Sequence, residues 1–292
     1  MKLYVPKYVK NFRCIADKCN HSCCIGWEID VDRTTFSKYQ SLNLPYSKEI
    51  LNSIENTGEP HFKIKKNKCC THLNDEGLCQ IILNCGEEYL CDICREHPRY
   101  YNYTNLGKEM GIGMSCEEAC RIILSSDDYD ELIPINDVDC EIEISDFDAI
   151  NMRELVYKIL KDNQLDFDGK VEALFDYFDI FVDRDMIFDT VPNLEYLDIN
   201  HKILLSTNSN YCHKKYTQDM LCRILAYFVY RHCSEAYTFD EFFTTLSFAI
   251  FCTKLIEYTS TVDTIFNIAR IVSEEIEYSE ENTDKIQALF YL

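Results

Sequence analysis

The chain has 292 residues, is 47% hydrophobic and carries a formal net charge of −21. This length allows one large domain or two, and the longest uncharged apolar stretch, residues 242–253, is too short to span a bilayer. Residues 121–292 hold 14 Lys and Arg but 34 Asp and Glu, and so carry −20 of that charge. Such a surface repels nucleic acid and anionic membranes and favours a lysine-bearing partner, unless it is simply a solvated acidic face.

Up to about residue 120, the pattern predicts short elements between cysteine-rich loops. The short elements predicted there are a helix capped by Asp32 and ending near Leu42, a helix over 47–55, a strand over 62–65, two helical pieces over 78–94 interrupted at Gly86, and a helix over 116–123.

An acidic, aperiodic stretch, residues 125–146, predicts a connector. Beyond it, apolar residues recur at helical spacing. One helix is predicted after a cap at Ser145 or Asp146, a second over Val171–Val182 and a third over Met220–Val229. A fourth begins at a capping box of Thr238 and Glu241 and reaches about Tyr258, and two more cover 264–277 and 284–292. We therefore predict a mainly α fold, with an irregular cysteine-rich region (1–124), the connector (125–146) and an α-helical region (147–292) on which the first region packs.

The cysteines are the most informative feature, because twelve of the 17 precede residue 121. Soft thiolates at this density usually hold a metal ion or an iron–sulfur cluster. The five later cysteines lack ligand spacing and are expected to be small core residues. The twelve early cysteines are Cys14, Cys19, Cys23, Cys24, Cys69, Cys70, Cys79, Cys85, Cys91, Cys94, Cys116 and Cys120.

Disulfide bonds are the first alternative to a metal site. The charged start MKLYVPKYVKNF does not have the form of a signal peptide, and the number of cysteines is odd. The neighbours Cys23 and Cys24 could hardly bridge each other without strain. We therefore expect reduced thiols in a soluble, cytoplasmic protein.

The choice between zinc and iron stays open at this point. Structural zinc often uses two CxxC pairs, and the chain has one, Cys91–Cys94. Irregular spacing is common in iron–sulfur sites. His21, His72 and His97 lie among the thiols and are either ligands or ordinary hydrogen-bonded side chains. The sequence has no GxGxxG, P-loop, HExxH or CxxxCxxC motif.

The order CxxxxCxxxCCxGW, CxxLxxxGLCxI, LCxxCxxxPR and a final Cys before Glu resembles the flagellin lysine-N-methylase family, often called FliB. Its core is also similar to the broader YkgJ-type cysteine-cluster proteins, described as zinc- or iron-binding. The resemblance covers about residues 1–120. The matching positions are Cys14, Cys19, Cys23, Cys24, Gly26, Trp27, Cys70, Leu73, Leu78, Cys79, Leu90, Cys94, Pro98, Arg99 and Cys116.

This resemblance implies methylation of lysine ε-amino groups of flagellin or a similar protein, with S-adenosylmethionine as donor and a [4Fe–4S] cluster required for activity. An iron with an open position would chelate the donor, which fits the lack of a nucleotide-binding loop. The implied ligands are the eight matching cysteines. Four early cysteines lie outside the motif and either bind a second cluster or are inert thiols: Cys69, Cys85, Cys91 and Cys120.

Methyl transfer to an amine suggests roles for five further residues. Tyr100, Tyr101 and Tyr103 are candidates to line the amine and the methylsulfonium group, or else they pack around the metal site. Arg99 is a candidate to bind the carboxylate of the methyl donor, or else it forms a local ion pair. Trp27 either stacks on the adenine or shields the cluster.

Three other functions remain open on the sequence alone. One is a non-enzymatic electron-transfer or metal-binding protein, and another is a structural zinc protein that binds a partner. The third is a related enzyme that modifies a different protein.

Overall fold

The computed structural model describes residues 2–138, 145–207 and 215–291. The strands are β1 Lys2–Pro6, β2 Ile29–Asp30, β3 Ile54–Glu55, β4 His61–Phe62, β5 Arg99–Thr104, β6 Gly107–Ile112 and β7 Leu132–Asp137. The helices are α1 Arg33–Ser41, α2 Ser47–Ser53, α3 Gln80–Cys85, α4 Asp92–Glu96, α5 Glu117–Ser125, α6 Ala149–Leu160, α7 Phe167–Phe178, α8 Arg184–Thr190, α9 Ile199–Leu205, α10 Lys215–His232, α11 Phe239–Thr259, α12 Ile265–Val272 and α13 Glu280–Gln287. With 54% of the described residues in helices, the predicted mainly α class is confirmed.

Local sequence signals place several helices correctly. The Asp32 carboxylate accepts a hydrogen bond from Thr35 N at 2.8 Å and caps α1. Thr238 caps α11 by accepting from Glu241 N at 3.1 Å. The cap of α6 was predicted wrongly, because it is Asp148, which accepts from Asn151 N at 3.0 Å, rather than Ser145 or Asp146.

The sequence interpretation missed the four-stranded sheet and the two helices α8 and α9. The sheet has the order β5-β6-β1-β7, and β7 lies inside the stretch predicted to be an aperiodic connector. In the sheet, β1 runs parallel to β6, with Leu3 opposite Lys108, and antiparallel to β7. The pairings of β1 with β6 and β7 join segments about a hundred or more positions apart and leave little local pattern, which explains why β1 and β7 were missed.

Two smaller differences concern the cysteine-rich part. Helix α2 ends at Ser53, two residues before the predicted end, and the predicted strand over 62–65 is His61–Phe62. The helical pieces α3 and α4 flank Gly86 as predicted.

The chain forms two compact units that interleave along the sequence. The thiol unit contains residues 13–99 and 116–118, and the helical unit contains residues 1–12, 100–115 and 119–292. The predicted boundaries at residues 124 and 146 are not boundaries of these units, and a division into separate domains stays a prediction.

The core of the helical unit is built around α10 and α11. Almost every residue of α11 from Phe242 to Thr259 is buried, including Lys254 and Glu257, so this helix is covered on all sides rather than on one face. Although α11 has 21 residues, none of the helices in the described parts of the chain is both long and apolar enough to cross a membrane.

A buried ion pair joins the sheet to the helices in this unit. Arg153 of α6 donates to both carboxylate oxygens of Glu109 on β6, at 2.6 and 2.9 Å. The two side chains are 2% and 0% exposed. Arg153 also donates to Ser234 Oγ at 2.6 Å and lies over the ring of Tyr230. This bidentate geometry offsets the cost of removing both charges from water.

The thiol unit has its own small sheet and apolar cluster. Strand β4 pairs with both β2 and β3, so that Phe62 lies opposite Ile29 and Ile54. Phe62 and Tyr39 of α1 are buried there, and the Tyr39 hydroxyl donates to Tyr89 O at 2.5 Å. This cluster is the support against which the cysteine loops pack.

Candidate metal centre

Backbone pairing brings the first cysteine segment next to the second. Cys70 N donates to Cys24 O at 2.7 Å, and Ile25 forms a β-bridge with Cys69. A further bridge joins Leu73 to Cys79. These contacts bring Cys24 and Cys70 close together although 46 positions separate them in the sequence.

Six thiols pack on the apolar cluster of the thiol unit. Five of them, whose charges affect one another's pKa, are called the inner thiol group. Burial, together with negative charge on Cys24, Cys79 and Cys91, raises the pKa of Cys70 to about 11. A hydrogen bond with Cys94 lowers the pKa of Cys91 and raises that of Cys94. The members of the inner thiol group are Cys24, Cys70, Cys79, Cys91 and Cys94.

Four other thiols, Cys14, Cys19, Cys23 and Cys116, form the outer thiol group. The pKa of Cys23 is raised by its hydrogen bond with Cys24 and further by negative charge on Cys14 and Cys116. Burial raises the pKa of Cys19 to about 11, with added contributions from Glu117 and Cys116. The members of the outer thiol group are therefore neighbours in the thiol unit.

The neighbours Cys23 and Cys24 join the two groups. Their mutual hydrogen bond lowers the pKa of Cys24 to about 7. A thiolate is the form of cysteine that binds metal.

The two thiol groups contain all eight cysteines of the FliB-like motif and add Cys91. The CxxC spacing of Cys91 and Cys94 was the signal that could have placed Cys91 among the candidate ligands. Within the described residues, however, no three Cys, His, Asp or Glu side chains form a group that could hold a metal ion as placed. The donor chemistry thus fits a thiolate-bound metal or cluster, but the thiols are gathered without being arranged as a coordination shell. The ligand set stays a prediction.

The other early cysteines belong to neither group, although Cys85 packs on the same apolar cluster as the inner thiol group. The Cys69 thiol donates to Asn67 O at 3.8 Å, and negative charge on Glu88 adds to burial in raising the pKa of Cys85. Cys120 belongs to the helical unit, where it is buried and its thiol donates to Phe266 O at 3.5 Å.

The later cysteines behave largely as the sequence suggested. Cys222, Cys233 and Cys252 are buried, as expected for core residues. Cys140 and Cys212 lie outside the described residues.

The histidines among the thiols have other partners in the structure. His72 is 1% exposed, and its two ring nitrogens contact Tyr46 Oη at 3.1 Å and Ser53 Oγ at 2.7 Å. His21 Nδ1 contacts Glu117 Oε2 at 3.0 Å. Burial lowers the pKa of His97 to about 4. The hydrogen-bonded alternative therefore describes His72 better than a ligand role.

Trp27 and Arg99 both belong to the thiol unit. The Trp27 indole donates to Cys23 O at 2.7 Å, and its ring meets that of His97 edge to face. This placement at the thiols agrees with the shielding alternative for Trp27. Arg99 donates to Arg95 O at 3.4 Å. Binding of a methyl donor by either residue stays a prediction.

The three predicted catalytic tyrosines belong to the helical unit instead. The Tyr100 hydroxyl is buried without a hydrogen-bond partner among the described residues, and the ring lies 4.6 Å from the Arg231 guanidinium carbon. Tyr101 and Tyr103 are exposed, and the Lys108 ammonium lies over their rings at 4.2 and 5.3 Å. Tyr100 therefore lies in the helical unit, although it follows Cys94 by only six positions in the sequence.

Comparison with known proteins identifies three relatives from Salmonella. Proteins named lysine-N-methylase from Salmonella choleraesuis and Salmonella typhimurium are each 28% identical over 138 residues, which is 42% of this chain and 32% of their own length. The flagellar biosynthetic protein FliU of Salmonella muenchen is 27% identical over 131 residues, 42% of this chain and 77% of its own length. The chain thus spans about a third of the lysine-N-methylases it matches.

No family model matches the chain, and no solved structure matches it. The three relatives nevertheless confirm the resemblance that the cysteine motif suggested. This protein is a relative of the Salmonella lysine-N-methylases and of FliU, over about two fifths of its own length.

Proposed function

We propose that this protein is an iron–sulfur-dependent protein-lysine N-methyltransferase of the FliB type. It transfers a methyl group from S-adenosylmethionine to lysine ε-amino groups of flagellin or a similar surface protein. The observation that carries the proposal is the gathering of all eight motif cysteines in one compact unit, in a chain whose relatives are named lysine-N-methylase.

The reaction requires a neutral amine aligned with the sulfonium methyl group and shielded from water. The nitrogen lone pair forms the new N–C bond while the C–S bond breaks, and its electrons stay on sulfur. The products are S-adenosylhomocysteine and a methylated ammonium group, which releases a proton to a base or to water. Binding and orientation are therefore the main tasks of the protein.

The thiol groups supply the donor set for the cluster. The eight motif cysteines, with Cys91 as a further candidate, are thiolate donors of the kind that iron–sulfur clusters use. When bound, a [4Fe–4S] cluster with one open iron position would hold the amino and carboxylate groups of the methyl donor.

Two features support a lysine-bearing protein as the substrate. Residues 121–292 carry a charge of −20, which attracts a basic surface. The exposed rings of Tyr101 and Tyr103 already hold an ammonium group, that of Lys108, by cation–π contact. This contact supports the prediction that these tyrosines receive a lysine side chain.

The test combines metal analysis with methyl transfer. The chain is purified anaerobically, its iron, zinc and acid-labile sulfide are measured, and it is incubated with methyl-labelled S-adenosylmethionine and flagellin. The variant Cys94→Ser removes a thiol of the inner group. Cys85→Ser is the matched control, because Cys85 packs on the same apolar cluster but belongs to neither thiol group.

We expect the wild type to contain iron and sulfide and to transfer label to flagellin lysines. The metal content and the label transfer should both be reduced in Cys94→Ser and unchanged in Cys85→Ser. Iron and sulfide without transfer to any lysine-bearing protein would refute the enzyme and favour electron transfer. Zinc without sulfide would refute the iron–sulfur cluster.

A further inference from the structure

The carboxylate of Glu117 holds the loop of residues 15–21 by hydrogen bonds next to Cys116, the last cysteine of the motif. Glu117 Oε2 accepts from the backbone N of Asn20 at 2.8 Å and of His21 at 3.1 Å. The same oxygen contacts His21 Nδ1 at 3.0 Å and receives the Cys19 thiol at 3.7 Å. Oε1 accepts from Asn20 Nδ2 at 3.2 Å. Three consecutive residues thus converge on one side chain, directly after Cys116.

The other bonds of this loop are local turns. Lys18 N donates to Ile15 O at 3.0 Å and Cys19 N donates to Ala16 O at 3.1 Å. Such turns fix the shape of the loop but not its place in the unit. The bonds to Glu117 join residues 96 to 98 positions apart and therefore set that place.

The charge of the carboxylate matters for this arrangement. Hydrogen bonds to an ionised acceptor are stronger than those between neutral groups. A carboxylate offers only acceptor sites, which suits the two backbone N–H groups that point at it. An amide of the same size could keep an oxygen in the place of Oε2 only by turning its NH2 group toward Asn20 Nδ2, which is itself a donor.

We propose that Glu117 is a positioning residue for the metal centre. It holds Cys19 beside Cys116, so that the first and last cysteine segments of the motif supply ligands to one site. The proposal rests on the metal centre of the proposed function and assigns Glu117 no part in methyl transfer. The sequence offered one signal for it, the Glu that directly follows Cys116.

The test measures metal retention rather than activity. Wild type, Glu117→Gln and Glu59→Gln are reconstituted anaerobically with iron and sulfide, and iron content and the rate of iron loss to a chelator are measured. Glu59 is the matched control, because it lies in the same unit and forms an exposed ion pair with Arg33. Circular dichroism establishes that each variant is folded.

Glu117→Gln is expected to bind iron about 10- to 100-fold less tightly, as for other residues that orient metal ligands, and therefore to contain less iron and lose it faster. Glu59→Gln should match the wild type. Asn20→Ala, which removes only the Oε1 bond, should increase the rate of loss to a smaller extent, and it provides the measurement if Glu117→Gln does not fold.

Two results would overturn the proposal, and they differ in what else they refute. If the wild type holds iron and both Glu117→Gln and Asn20→Ala retain it equally well, only the positioning role fails. If the wild type takes up no metal, the metal centre fails together with it.

Discussion

The buried pair of Arg153 and Glu109 gives the most direct test of how the helical unit is held together. Replacing Arg153 with Met removes the cation and leaves the Glu109 carboxylate, which is 0% exposed, without a counter-ion. Breaking a buried pair in this way costs about 3–5 kcal/mol. For a unit of this size, roughly 2–4 °C per kcal/mol gives a melting temperature lower by about 6–20 °C.

The two units can be followed separately during unfolding. Trp27 is the single tryptophan of the chain and lies in the thiol unit, so its fluorescence reports on that unit. Circular dichroism follows mainly the helical unit, which contains most of the helices. Arg153→Met is expected to lower the melting temperature measured by circular dichroism more than the one measured by Trp27 fluorescence.

The double variant Arg153→Met with Glu109→Leu is the control. It removes both charges together, so no uncompensated charge is left, and most of the lost stability should return. The reasoning is refuted if Arg153→Met unfolds within about 1 kcal/mol of the wild type, a change that ordinary substitutions also cause. It is also refuted if the double variant is no more stable than Arg153→Met.

Three further predictions follow from single contacts. A Cβ on Gly111 would overlap the ring of Tyr100, so Gly111→Ala should lower the free energy of unfolding in urea by about 1–3 kcal/mol. In a Tyr100→Ala background the clash is absent, so Gly111→Ala should then cost much less. The hydrogen bond to Glu275 raises the pKa of His201 above its usual 6.5, so its stabilisation is full below pH 6.5 and is lost as pH rises through the folded value. The decline of the melting temperature from pH 6 to pH 8 should therefore be smaller in His201→Gln, and an unchanged decline would contradict this. Thr238→Ala should cost about 1 kcal/mol and Thr238→Ser much less, since only the hydroxyl caps α11, and equal losses would argue against the cap.

The mainly α class, most helices and the cysteine motif could be predicted from the sequence alone. Caps such as Asp32 and Thr238 act within one helical turn, and apolar periodicity reports directly on a buried face. The spacing of eight cysteines was enough to indicate the relationship that the Salmonella proteins confirm.

The tertiary structure alone decided which distant groups meet. It pairs β1 with β6, adds Cys91 to the inner thiol group, anchors the Cys19 loop on Glu117 and places Tyr100 in the helical unit. These contacts join segments tens of residues apart, and their free energies depend on packing and burial that no local pattern encodes. For that reason Tyr100, only six positions beyond Cys94, belongs to a different unit, whereas Glu117 belongs to the unit of Cys19 across nearly a hundred positions.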